Sequence, residues 1–134
     1  MLIMFAFVIS VHAQELPWSD NFDDGNMDEW TIIDDEPFRL GPSNWEISNG
    51  GLYQTSNILT TENELSVYKG THAVAGNSAW SDYYFAARIY TSDDEGLGML
   101  FRYQDEDNYY RFITLKNTDN WGKPFKRLEK QVNG

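Results

Sequence analysis

The stretch from Gly96 to Lys116, GLGMLFRYQDEDNYYRFITLK, alternates apolar and polar side chains on both sides of a short acidic break. A period near two belongs to strands, because successive side chains of an extended chain leave on opposite faces. Two strands joined this closely pair antiparallel. A run just upstream, Asp82 to Ser92 (DYYFAARIYTS), carries the same alternation and is expected to add a third strand. The result is a meander, which commits this part of the chain to a β fold.

Turn lengths then assign the faces. A loop of about four residues, Asp105 to Asn108, pairs Gln104 with Tyr109 and sets Arg102 opposite Arg111. A loop of about five residues, Ser92 to Gly96, pairs Thr91 with Leu97, Ile89 with Met99, Ala87 with Phe101 and Phe85 with Tyr103. One face becomes Tyr83, Phe85, Ala87, Ile89, Leu97, Met99, Phe101, Tyr103, Tyr110 and Phe112, and reads as the core face. The other collects Tyr84, Ala86, Arg88, Tyr90, Gly98, Leu100, Arg102, Gln104, Tyr109, Arg111 and Ile113. Arginines directly opposite each other repel unless an anion or an aromatic stack sits with them. Two readings follow. Acids from neighbouring strands neutralise the arginines, or the face binds a ligand, since planar guanidinium forks beside tyrosine rings suit sugars and carboxylates.

Further strands recur at short intervals: Trp18 to Phe22, Trp30 to Asp34, Trp45 to Ser48, Leu52 to Thr55, Thr71 to Ala75 and Phe125 to Val132. Ser48-Asn49-Gly50-Gly51 turns the third into the fourth, making WEISNGGLYQT a hairpin. The run from Asn57 to Tyr68 is ambiguous between strand and a short helical piece. No segment sustains the helical apolar period over more than about two turns. Strands with turn signals this frequent predict an antiparallel β-sandwich, in one domain or part of one.

Of 134 residues, 41% are hydrophobic and 16% aromatic, enough for a core and for many stacking surfaces. The net charge of −11 argues against nucleic acid or an anionic membrane as a general partner. There is no cysteine, which excludes a disulfide framework, thiol catalysis and cysteine-ligated metals.

The first residues resemble a targeting segment. Leu2 to Ser10 is a continuous apolar run, and Val11 and Ala13 suit the small-residue positions of a signal-peptidase site. Residues 1–13 are therefore expected to be a signal peptide lacking its basic start, with a secreted, extracellular or periplasmic mature chain. Beyond that run no segment is long enough to span a bilayer as a helix. At the other end Asn133-Gly134, a hairpin signal, follows a strand. Residues 14–134 are thus expected to form the N-terminal part of a larger sandwich.

Three segments together resemble the concanavalin-A-like jelly-roll superfamily: DNFDDGNMDEWTIID, NWEISNGGLYQTS and GLGMLFRYQDEDNYYRF. Laminin-G-like modules and the thrombospondin C-terminal domain are the nearest types. The pattern is also similar to non-catalytic modules of bacterial polysaccharide-degrading enzymes and to the sandwich of 3-keto-disaccharide hydrolases. The resemblance runs from about Trp18 onward. It implies a jelly roll with carbohydrate or extracellular protein as partner, and commonly bound calcium near the first strand. The matching positions are Asp20, Asn21, Asp23 and Asp24. Calcium takes six to eight oxygens, and DNFDDG with Asp28 and Glu29 supplies carboxylates around a turn glycine, though not at EF-hand spacing. A solvated acidic turn is the competing reading. Asp93-Asp94-Glu95 and Asp105-Glu106-Asp107 read more simply as hairpin tips.

Signals for catalysis are thin. His72 is the one histidine beyond the apolar start, so a Ser-His-Asp triad or histidine-rich zinc site would rest on it alone. The E-x-D-x-x-E strand of the laminarinase-type hydrolases of this fold is missing. Trp45, Tyr53, Trp80 and Trp121 lie at or near turns, and Trp121, in a wholly polar setting, is the best candidate for an exposed sugar platform. The sequence thus predicts a secreted, calcium-stabilised, non-catalytic β-sandwich that binds glycans through Arg88, Arg102, Arg111, Tyr84, Tyr90, Tyr109 and Trp121. The sandwich of a secreted sugar-active enzyme and a protein-adhesion module are the alternatives.

Overall fold

A computed structural model describes residues 16–35, 38–60, 70–93, 96–116 and 124–134. Among these the chain is all-β, with nine strands in antiparallel ladders and no helix. No helix of the described residues is long and apolar enough to cross a membrane. The proposed signal segment and Trp121 lie outside the described residues.

The strands are β1 (Trp30–Asp34), β2 (Phe38–Leu40), β3 (Trp45–Ser48), β4 (Gly51–Gln54), β5 (Leu59–Thr60), β6 (Thr71–Ala75), β7 (Leu97–Asp105), β8 (Asn108–Leu115) and β9 (Phe125–Gln131). β1 pairs with β6, β2 with β5 and β3 with β4, while β7, β8 and β9 form one sheet in that order. β1, β3 and β6 have the bounds their alternation predicts. β2, too short to show a period, was not predicted, and β5 falls in the run from Asn57 to Tyr68 left open by its pattern, of which residues 61–68 lie outside the described residues. The β3–β4 hairpin turns on Asn49 and Gly50, both left-handed at φ 49° and 66°. Such a two-residue turn matches the natural twist of the strands, and Asn and Gly tolerate it best.

Three expectations are corrected. Residues 82–92 form no ladder, so the pairings of Phe85, Ala87, Ile89 and Thr91 with β7 do not occur. The start of that segment is instead tied to one point of β7. The Arg102 amide donates to the Tyr83 hydroxyl at 2.5 Å, and the Arg102 guanidinium meets Asp82 at 3.2 Å. A tyrosine hydroxyl thus takes a donor that a neighbouring strand would need. Residues 18–22 are also not a strand. Asp20 Oδ1 accepts the Phe22 amide at 2.7 Å, and Phe22 is left-handed at φ 58°, which folds the chain into a turn.

The third correction concerns register. The β7–β8 tip closes on Asp105 opposite Asn108, with only Glu106 and Asp107 between them. Upstream, Phe101 faces Tyr110 and Leu100 faces Arg111. β7 therefore spends extra residues between Phe101 and Asp105, in a bulge where Arg102 is left-handed at φ 50°. Bulges bend the strand and re-aim side chains. Phe101 stacks on Tyr110 on one face, whereas Tyr103 stacks on Tyr109 on the other. Arg102 and Arg111 are not opposite each other.

On β8 the core face is the reverse of the predicted one, whereas Tyr83 and Tyr103 of the predicted face do pack inward. Tyr109, Arg111, Ile113 and Leu115 are the buried residues of β8, while Phe112 is exposed. The buried face is turned toward β6, where the His72 ring lies 6.4 Å from that of Tyr109. Aromatics occupy both faces of β8, so hydrophobicity alone did not distinguish them. A second apolar cluster joins Trp18, Phe22, Trp30, Trp80 and Tyr83, with ring centroids 5.6–6.5 Å apart. Gly76 lets it close, because any side chain there would strike the Trp80 ring.

Candidate functional site

The loop before β1 folds into an acidic concavity of about 520 Å³. Asp20, Asn21, Asp23 and Asp24, the predicted calcium positions, all line it, and Ser19, Asn26 and Glu29 complete the wall. Two indoles of the aromatic cluster anchor the loop. Trp18 Nε1 donates to Glu29 Oε2 and Trp30 Nε1 to Asp20 Oδ2, each at 2.7 Å. The remaining acids are held by short local turns. Asn21 Nδ2 donates to Asp23 Oδ2, and Asp24 accepts both the amide and the side-chain nitrogen of Asn26. Such side chains bond the backbone two residues on, which is why Asx residues populate turns.

The lining is rich in hard oxygen donors, as calcium requires. Among the described residues, however, no three carboxylate or imidazole groups converge as a metal-ligand cluster. Asp20 has both oxygens engaged. Asp23 Oδ2 and both oxygens of Asp24 accept hydrogen bonds from Asn21 and Asn26, and each carboxylate oxygen keeps a lone pair beyond those bonds.

The predicted ligand face is dispersed. Arg111 is 7% exposed, with its Nε donating to Glu129 Oε2 at 2.6 Å. Tyr109 is 5% exposed between the Tyr103 ring and His72. Arg102 sits on the bulge beside Asp82. For both arginines an acid from elsewhere in the chain supplies the compensating charge, as the simpler sequence reading expects. Tyr84, Arg88 and Tyr90 all lie on the exposed segment after the bulge contact. The two tyrosines are 91% and 88% exposed. Of the other turn aromatics, Trp45 is half-buried with its Nε1 donating to Thr71 Oγ1 at 2.8 Å, Trp80 is in the aromatic cluster, and Tyr53 is 46% exposed.

His72 is tied into the junction between the sheets. Its Nε2 lies 2.8 Å from Asp35 Oδ2, which also accepts the Gly70 amide at 3.0 Å. Around it the ionisable groups respond to burial. Desolvation, with Glu106, Asp105 and Asp35 nearby, pushes the Tyr103 phenol up to about 12. Tyr109 is raised by burial as well, with Arg111 pulling the other way. Burial would raise Asp34, but hydrogen bonding from Ser43 and Thr71 outweighs it and holds the carboxyl below its ordinary value.

The sequence reading missed Ser19 and Asn26 in the acidic loop and Glu129 as the partner of Arg111. Asn26 was detectable, since Asp24-x-Asn26-x-Asp28 has the spacing of successive Asx turns. Glu129 was not, because its pairing depends on cross-strand register. No protein-family model, curated protein or solved structure matches the chain.

Proposed function

We propose that this chain is a secreted, non-catalytic carbohydrate-binding module of the concanavalin-A-like jelly-roll type, stabilised by calcium at its acidic loop. The observation that carries the reading is the pair Tyr84 and Tyr90, 91% and 88% exposed, with exposed Arg88 between them in the chain. Their flat apolar faces, open to water, suit the C–H faces of sugars, and the phenol hydroxyls add polar ends. An arginine beside them adds a fork for hydroxyls or carboxylates. Asp20, Asn21, Asp23 and Asp24 are the residues that would hold calcium, whose role here is to brace the loop beneath the aromatic cluster.

Glycan-array binding of the whole chain, with and without EDTA, tests the proposal. Tyr84→Ala, Arg88→Ala and Tyr90→Ala are expected to abolish binding without lowering the melting temperature. Chelation is expected to lower the melting temperature. Unchanged glycan binding by the triple variant overturns the carbohydrate reading, and indifference to EDTA and added calcium overturns the metal. A protein-adhesion module is the second reading, favoured by Phe85 and Ile89, 45% and 43% exposed on the same segment. It predicts capture of an extracellular protein through those two residues and an empty glycan array.

A further inference from the structure

Two regions far apart in the chain, the acidic loop and the segment that starts at Asp82, are fastened to the same set of rings. At one end Asp20 Oδ2 accepts the Trp30 indole at 2.7 Å. Trp30 lies 5.6 Å from Trp18, Trp18 lies 6.5 Å from Trp80, and Trp80 meets Tyr83 edge-on at 6.2 Å, all between ring centroids. At the other end the Tyr83 hydroxyl accepts the Arg102 amide of β7 at 2.5 Å. The middle of this set is tightly closed. A Cβ on Gly76 would stand 2.5 Å from the Trp80 ring, so the chain just after β6 backs directly onto that indole.

Close-packed side chains have discrete arrangements and not a continuous range, which is what lets one contact bias another. The Tyr83 end is the element poised between two. Arg102 is a non-glycine residue at φ 50°, a left-handed conformation that persists only while its surroundings hold it. Tyr83 holds its amide and Asp82 its guanidinium at 3.2 Å, so both holds come from the start of the exposed segment. The segment itself is extended, since residues 83–91 run without a turn or bend. Neighbours along an extended chain leave on opposite sides. With Tyr83 drawn in among the rings, Tyr84 is turned outward, where it is 91% exposed.

We propose that the acidic loop and this segment are coupled through the rings. Loss of the Asp20–Trp30 bond loosens Trp18 and Trp80, draws Tyr83 off the Arg102 amide and frees the start of the segment from the β7 bulge. Asp20 and Tyr83, both half-buried, are thus positioning residues for Tyr84, Arg88 and Tyr90. The coupling stands on contacts within the chain, while its consequence for ligand binding rests on the carbohydrate reading above. Such coupling is reciprocal, so a change at either end is felt at the other.

Hydrogen exchange of the full chain, read by NMR at backbone amides and indoles, tests this without a ligand. Tyr83→Phe keeps the ring and removes the acceptor. It is expected to speed exchange of the Arg102 amide about tenfold, and that of the Trp30 indole, at the far end, about threefold or more. Asp20→Ala is expected to speed the Arg102 amide by about threefold beyond any change in the β8–β9 amides, which report global opening. Asp20→Asn, which can keep the Phe22 bond, replaces it should the alanine variant not fold. Asp24→Ala, in the same loop but bonded to Asn26, is expected to leave Arg102 unchanged. The double variant at Asp20 and Tyr83 is expected to show less than the product of the single effects. Independent effects, or an Arg102 amide that follows β8–β9 in every variant, overturn the proposal. The glycan array is run on the same chains. Weaker glycan binding by both single variants supports the positioning role, and equal binding overturns it. An array empty for the unaltered chain, with the exchange coupling intact, overturns the carbohydrate reading and leaves the coupling standing.

Discussion

Arg111 and Glu129 face each other across β8 and β9, joined at 2.6 Å on the side of the sheet turned away from solvent. The pair explains how a guanidinium comes to be only 7% exposed in so small a core. It also commits the Arg111 Nε to a partner within the sheet. Breaking a buried pair on one side strands the other charge, which costs about 3 kcal/mol. Glu129→Ala should therefore lower unfolding free energy by about that much in urea melts. Joint replacement with Arg111→Met should recover most of it. A single-variant loss below about 0.5 kcal/mol would show that the pair is solvated after all.

Gly98 is pressed against β8. A Cβ at that position would collide with the Phe112 carbonyl oxygen, a backbone atom that cannot step aside. Gly98→Ala is expected to destabilise by about 2 kcal/mol or more, by forcing β7 from β8. Gly96→Ala is the control, because its nearest neighbour is a leucine methyl at 3.8 Å. Equal effects of the two substitutions in thermal melts would refute the close approach.

Asp20 and Asp24 sit in one acidic loop but do different work. Asp20 accepts the Phe22 amide and the Trp30 indole and so fastens the loop to the aromatic cluster, whereas Asp24, among the described residues, bonds Asn26 beside it. Asp20→Ala should cost about 2 kcal/mol even in EDTA, since it leaves a half-buried indole N–H unpaired. Asp24→Ala should change stability only when calcium is present. Melting curves of both variants, with and without the ion, separate anchoring from metal binding.

Stability should fall at both ends of the pH scale. The Tyr103 phenol, raised from 10.0 to about 12, favours the neutral form in the fold. Its contribution is fully present below pH 10 and is lost as pH rises from there through 12. Tyr109 is shifted the same way. Asp34 is shifted down from 3.8, so its contribution is present above that value and is lost as pH falls below it. Melting temperature measured from pH 2 to 12 checks both limbs. Tyr103→Phe should remove part of the alkaline fall and none of the acid one.

Local chemistry made much of the strand inventory legible. Trp30–Asp34, Trp45–Ser48 and Thr71–Ala75 show the period-two alternation, and Asn49-Gly50 specifies its own turn. The acidic loop was legible as well, because its asparagines and aspartates act over two or three residues. Residues 82–92 were not. Their alternation is as good as that of β8, yet the Tyr83 hydroxyl and Asp82 hold the chain at the Arg102 bulge.

The sequence by itself determined an all-β chain, its main strands and one acidic turn. Those follow from side-chain spacing and from turn residues that satisfy their own backbone. Only the tertiary structure decided which face of β8 is the inside. That choice depends on two facts no local pattern carries: the extra residues that β7 inserts at Arg102, and the contact of Tyr109 with His72 from a distant strand. Packing that face inward, with Glu129 of β9 directly across, put Arg111 in a buried ion pair instead of on an open ligand surface.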